Sequence, residues 1–189
     1  MLAACRSGAS FYEKADFMPM PSARPRIGTN AHPAKGKFLV ASPAMKDPRF
    51  AGTVILLIDY GVRGALGLVV NRPSDIDLSE AFADEKRFKR GDGKLFLGGP
   101  VETERVFVLI RSPGGVAGSM PVFKDVYVSE SEAALQAAAA GGLEYRVFAG
   151  YAGWAPLQLE REIDAGAWEV TDGDADEIFS EKPVARPLK

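Results

Sequence analysis

Reactive residue types are scarce in this chain, and that scarcity is the first constraint on its chemistry. There is one cysteine, Cys5, and one histidine, His32. No intramolecular disulfide can form, which suits a reducing compartment. Both residues lie near the N-terminus. The body of the chain therefore has no histidine to activate a serine or cysteine, and none for a His-rich metal site. Asp47, Glu160 and Glu162 offer oxygen ligands of the kind magnesium or calcium takes. Glu160 and Glu162 are two apart on an expected helix, so they point to different faces and cannot chelate together. No metal, no cofactor and no catalytic residue is expected.

Two further groups could act by binding. Lys86, Arg87, Lys89, Arg90 and Lys94 form the densest basic cluster, with Phe88 interleaved, and could meet several phosphates. Asp84, Glu85 and Asp92 dilute it, and the net charge of -2 lacks the basic excess of a dedicated nucleic-acid surface. A solvated loop is the favoured reading. Tyr151, Trp154 and Trp168 could form an aromatic platform. Core positions beside glycines are the favoured reading for them.

These residues need a frame, and the centre of it is Gly64-Ala65-Leu66-Gly67-Leu68-Val69-Val70-Asn71-Arg72-Pro73. Its apolar, partly β-branched residues suit a buried strand. Gly67 admits a close neighbour, and Pro73 stops the strand near Asn71. The continuous apolar run Thr53–Asp59 reads as a strand buried on both faces. With a turn at 60–64, the two form a central hairpin. Lys37–Ser42 is the first strand, ended by Pro43. Leu95–Leu97 and Val106–Ile110 are strands separated by a Gly98-Gly99-Pro100 turn. Ser112–Met120 is a loop, and Val122–Val128 a strand kinked near Asp125. Ser129 or Ser131 caps a helix to Ala140. Tyr145–Gly150 is a strand, and Tyr151–Ala155 a turn into a helix at Leu157–Asp164 with Pro156 at its first position. Asp77 caps a short helix to Phe82 with Glu80 in capping-box position. A strand at Ala167–Val170 and a helical turn at Asp174–Phe179 complete the domain.

Strands in runs with few, short helices make an α+β protein. The 189 residues suit one domain, and 47% hydrophobic with 25% charged residues is ordinary for a globular chain. Residues 1–35 are expected to be a flexible leader, 36–180 the domain and 181–189 a basic tail. No run approaches the ~20 apolar residues of a membrane-spanning helix, and a cytoplasmic location is expected. Leu2-Ala3-Ala4-Cys5 has the form of a lipoprotein cleavage box but lacks the basic and apolar regions that should precede it. A chance match is favoured; lipid anchoring at Cys5 is the alternative if the start site is misassigned.

Four segments together resemble the YqgE/AlgH family of bacterial proteins. They are Ser42-Pro43-Ala44-Met45 with Asp47-Pro48-Arg49-Phe50; the Gly64–Pro73 stretch; Gly98-Gly99-Pro100-Val101 followed by Val106-Phe107-Val108-Leu109; and Gly150-Tyr151-Ala152-Gly153-Trp154 with Gln158-Leu159-Glu160 and Gly166-Ala167-Trp168. One departure is Leu157, where the family usually carries glycine. The resemblance implies a twisted, bifurcated antiparallel sheet curled into a pseudo-barrel and flanked by helices. Members are commonly described as transcriptional regulators, without an established reaction or a recognised DNA-binding motif, so that description rests on analogy.

The polar residues of those segments are Ser42, Asp47, Arg49, Asn71, Arg72, Gln158, Glu160 and Glu162. As a ligand site they would form a pocket at strand ends, with Arg49 or Arg72 gripping a carboxylate or phosphate. As structure they would cap turns and satisfy buried backbone groups, which is the favoured reading. The expected function is regulatory binding through a protein partner or small ligand. The alternatives are direct DNA binding and an enzyme with an anion pocket near Asn71 and Arg72.

Overall fold

A computed structural model describes residues 32–89, 91 and 93–180. The expected leader up to residue 31, the tail 181–189 and Arg90 lie outside the described residues.

Strand alternation decides the architecture. In β1 (Lys37–Ala41), β2 (Val54–Gly61) and β3 (Gly64–Val69), successive side chains enter different cores. Phe38, Val40, Val54, Leu56, Leu66 and Leu68 join one cluster, while Leu39, Ala41, Ile55, Leu57, Ala65 and Val69 join another. Both faces of the hairpin are thus buried, as its unbroken apolar run predicts. The sheet continues through β4 (Pro73–Asp77), β5 (Lys94–Leu97), β6 (Val101–Arg111), β7 (Met120–Phe123), β8 (Val126–Ser129), β9 (Glu144–Trp154) and β10 (Trp168–Asp172). The main path runs β10-β1-β2-β3-β9-β6-β8-β7. It curls so that the first cluster fills its concave side, where Phe38, Leu68, Phe107, Leu109, Phe148, Val126 and Val128 meet.

The sheet branches at β9. Residues 147–149 of β9 pair with β6 on one side and, in parallel, with β5 on the other; residues 152–154 pair with β3. β5 in turn carries β4 as an edge strand. Four short helices cover the outside. α1 (Leu78–Ala81) and α2 (Glu132–Ala139) lie over the β5–β9–β6 region. α3 (Gln158–Asp164) packs Leu159 against β3 and β10, and α4 (Ala175–Phe179) sets Ala175 and Ile178 into the concave core. Asp77, Ser131 and Asp174 cap α1, α2 and α4 with side-chain acceptors. This α+β, bifurcated, curled sheet is the fold expected, with one parallel pair in it.

Four local expectations are corrected. Val122–Val128 is not one kinked strand. Lys124 at φ 46 turns the chain into a hairpin of β7 and β8. Tyr151–Trp154 is not a turn; it continues β9, and Gly150 at φ 71 forms the irregularity that keeps the strand going. β3 already stops at Val69, short of Asn71, and Pro73 instead opens β4, an edge position where its missing N–H costs nothing. Pro156 precedes the helix: Leu157 is the N-cap of α3, with φ 61 and no side-chain cap bond.

Leu157 is 66% exposed and left-handed. A left-handed conformation costs a non-glycine residue roughly 1–2 kcal/mol, partly offset by the extra unfolded-state freedom glycine brings. Leu157→Gly is therefore expected to raise stability by about 0.5–1 kcal/mol, read as a higher urea midpoint at unchanged slope. A lower midpoint would mean that Leu157 makes contacts worth more than its strain.

Candidate functional site

The candidate residues fall into separate groups. The first is built on the turn between β1 and β2. Asp47 Oδ1 accepts the Arg49 backbone N–H at 2.9 Å and Nε at 3.1 Å, while Oδ2 accepts Nη2 at 2.9 Å. Arg49's guanidinium bond, ahead of burial's opposing effect, holds the Asp47 carboxyl below its ordinary range. A depressed folded value contributes stability above the unfolded one and loses it as pH falls through the folded one, so this turn weakens in acid.

Arg72 reaches the same turn from the end of β3. Nη1 donates to the Arg49 carbonyl at 2.5 Å, and Nη2 donates to those of Pro48 at 3.2 Å and Ala51 at 3.1 Å. Asn71 bridges its two sides: Oδ1 accepts the Val54 N–H at 3.0 Å and Nδ2 donates to the Gly52 carbonyl at 2.9 Å. Carbonyls that no strand satisfies are thus met by two side chains at the strand end. Ser42 sits beside this turn, its N–H on the Ala167 carbonyl at 2.9 Å. Its hydroxyl oxygen is buried and is the one such side-chain atom among the described residues without a hydrogen-bond partner.

The second group surrounds α3. Gln158 Oε1 accepts the Ala155 N–H at 3.0 Å, and Nε2 donates to Glu162 Oε1 at 2.9 Å. Glu162 Oε2 accepts both indole N–H groups, from Trp154 at 2.9 Å and Trp168 at 2.8 Å. Glu162 is 1% exposed, so this buried carboxyl accepts from one amide and two indole donors. Glu160 leaves this network and accepts the Tyr60 hydroxyl at 2.6 Å, which pushes the phenol up to about 12. The two glutamates point apart, as their spacing requires, and no metal-holding group of three or more His, Cys, Asp or Glu occurs among the described residues.

The basic cluster is split by its own neighbours. Arg87 is paired to Glu85 through Nε at 2.8 Å, and Lys94 donates to the Asp75 carbonyl at 2.8 Å. Lys86 and Lys89 are exposed. Phe88 is buried against Phe82 and Tyr145, so it offers no face to a base. Tyr151, Trp154 and Trp168 are likewise in the core, the two indoles edge-to-face at 6.0 Å.

One group was not legible beforehand. Residues 102–105 of β6 bulge opposite Gly150, with Glu102 at φ 44. The bulge aims Arg105 at Glu102 and Glu130 and over the rings of Phe107 and Tyr151. Burial pushes the Tyr151 phenol up. The signal was present in part: a buried tyrosine or tryptophan needs a polar partner, but nothing in the spacing says which.

Comparison with known proteins gives a consistent picture. A sequence model of an AlgH-like family matches residues 38–186. A UPF0301 protein of Ralstonia pickettii is 40% identical over 157 residues, 79% of this chain and 82% of that protein. One of Anaeromyxobacter sp. is 38% identical over 161 residues, 78% of this chain and 80% of that protein. The solution structure of the AlgH protein from Pseudomonas aeruginosa matches with a TM-score of 0.68 at 34% identity, over 82% of this chain and 86% of that one. A crystal structure from Corynebacterium diphtheriae matches with a TM-score of 0.68 at 26% identity, over 79% and 81%.

Proposed function

The chain belongs to the AlgH-like family, and from that premise we propose that it is a regulatory binding protein, cytoplasmic and without catalysis of its own, acting through a protein partner or small ligand. One observation carries the reading. Arg72, the residue best suited to grip an anionic substrate, donates to three backbone carbonyls of the 47–53 turn. Asn71 donates to the Gly52 carbonyl, Asp47 accepts the Arg49 N–H, and Gln158 accepts the Ala155 N–H and donates to Glu162. The polar residues that a reaction would need hold the frame, which favours recognition by the surface over chemistry in a pocket. The lone cysteine suits a reducing compartment. No helix among the described residues is long and apolar enough to cross a membrane.

Direct DNA binding is the second reading, favoured by exposed Lys86 and Lys89 on one loop. Fluorescence anisotropy of a labelled mixed-sequence duplex, titrated at two salt concentrations, separates the two. The expected result is no saturable binding in the micromolar range at low salt. Binding that weakens steeply with salt and is lost on Lys86→Ala with Lys89→Ala overturns the proposal in favour of a DNA-binding regulator. Turnover of any substrate that disappears on Asp47→Ala or Arg72→Ala overturns its non-catalytic half.

A further inference from the structure

The concave core is closed at one end by α4, and Arg146 lies beneath it. Arg146 is on β9 opposite Leu109, two residues before Phe148, so it shares their face of the strand. Its guanidinium is half-buried and 4.6 Å from the centre of the Phe96 ring. Nε donates to the Ile178 carbonyl at 2.6 Å, and Nη2 donates to that of Ser180. Among the described residues it forms no ion pair, unlike Arg49, Arg87, Arg105 and Arg111.

A guanidinium fork favours a carboxylate, which meets two N–H donors at once. Here two carbonyls at the C-terminal end of a helix stand in that place, supplying only partial negative charge. The helix that brings them has five residues and cannot stand alone. It is held by Ala175 and Ile178 in the core, with Phe179 partly packed, and by Asp176 on Arg111 at 2.7 Å. Asp176 is largely exposed, so that ion pair holds weakly. Lifting the segment bares a fork of cationic donors beside the aromatic pair Phe96–Phe148 and Leu109.

We propose that Asp174–Ser180 is an autoinhibitory strap over a latent site for an apolar-tailed carboxylate. The head takes the Arg146 fork now filled by the Ile178 and Ser180 carbonyls. The tail takes the place of Ile178 against the concave core. This rests on, and sharpens, the small-ligand half of the function proposed above.

The test uses the full chain and isothermal titration with decanoate and, as the uncharged match, decanol. The loosened variant is Ile178→Ser with Asp176→Asn. Because freeing a closed site raises apparent affinity by the fraction it was occluded, the loosened chain is expected to bind decanoate about tenfold tighter than the wild type. Arg146→Gln in the loosened chain is expected to abolish that gain, and decanol to show no dependence on Arg146. Equal decanoate affinity with and without loosening, or retention of the gain after Arg146→Gln, overturns the strap. Should the double variant fail to fold, Asp176→Asn alone, at an exposed position, keeps the test. A gain of about threefold supports the strap, and no gain overturns it. Failure here leaves the protein-partner reading standing, whereas salt-sensitive DNA binding would remove that reading without touching the strap.

Discussion

Glu162→Gln is expected to destabilise the chain by roughly 2–4 kcal/mol, because it breaks a chain of hydrogen bonds that has one consistent orientation. Ala155 N–H needs an acceptor, which turns the Gln158 oxygen towards it and the Gln158 amide nitrogen towards Glu162. The far carboxylate oxygen then accepts two indoles. A glutamine at 162 can present its oxygen to the indoles or to Gln158, and its NH2 group meets a donor either way. Flipping Gln158 moves the conflict to Ala155. One buried donor–donor contact is unavoidable. Trp154 and Trp168 are the two tryptophans of the chain, so their emission reports this site alone. Urea unfolding followed by tryptophan emission should show an earlier midpoint with a changed native spectrum. A midpoint shift worth less than about 0.5 kcal/mol would mean that water or backbone relaxation relieves the conflict.

This network explains what was readable in the sequence and what was not. The hairpin of β2 and β3 was legible because unbroken apolar runs between turn residues have few other solutions. The helix after Ser131 was legible from its cap and its alanines. Misreadings cluster where one residue serves two elements. Gly150 and Gly153 look like turn residues, yet both sit in a strand: at Gly150 neighbouring backbone passes too close for a side chain, and at Gly153 the Tyr151 ring lies 3.2 Å from where a Cβ would stand. Lys124 turns a hairpin without the Gly or Asn that signals such turns. For the site, the residue types were right in kind: Asn71 and Arg72 do satisfy turn carbonyls. Their partners at 48–52 are about twenty positions away in sequence, and backbone carbonyls carry no sequence signal. Glu162 looked like one more helix acid, because the indoles it joins come from two strands on opposite sides of its helix in the sequence.

Gly99→Ala is expected to cost about 3 kcal/mol or more, and to abolish a cooperative transition if the sheet cannot relax. The reason lies at the fork of the sheet. Gly98 donates its N–H to the Ala149 carbonyl at 2.9 Å, and its own carbonyl accepts from Val69 at 2.8 Å, so it ties β9 to β3. A Cβ on Gly99 would stand under 3.0 Å from the backbone of Tyr151 and Ala152, and one on Gly98 under 3.0 Å from the Gly150 carbonyl. Gly150 answers in kind: its Cβ would meet the carbonyls of Gly99 at 2.6 Å and Val101 at 2.9 Å. These neighbours are backbone on both sides, so no rotamer change gives relief. Gly114→Ala is the matched control, since nothing lies within 4 Å of its Cβ and its φ is not left-handed. It should stay within about 0.5 kcal/mol of the wild type, or rise slightly as the unfolded chain loses freedom. Urea midpoints of the two alanine variants, measured side by side, decide the matter. A Gly99→Ala chain within about 1 kcal/mol of wild type would mean that the two strands part more easily than their spacing implies. The Gly98-Gly99-Pro100 and Gly150-Tyr151 segments, fifty residues apart, are on this account one structural device: two backbones crossing without side chains, which lets a single strand belong to both branches of the sheet.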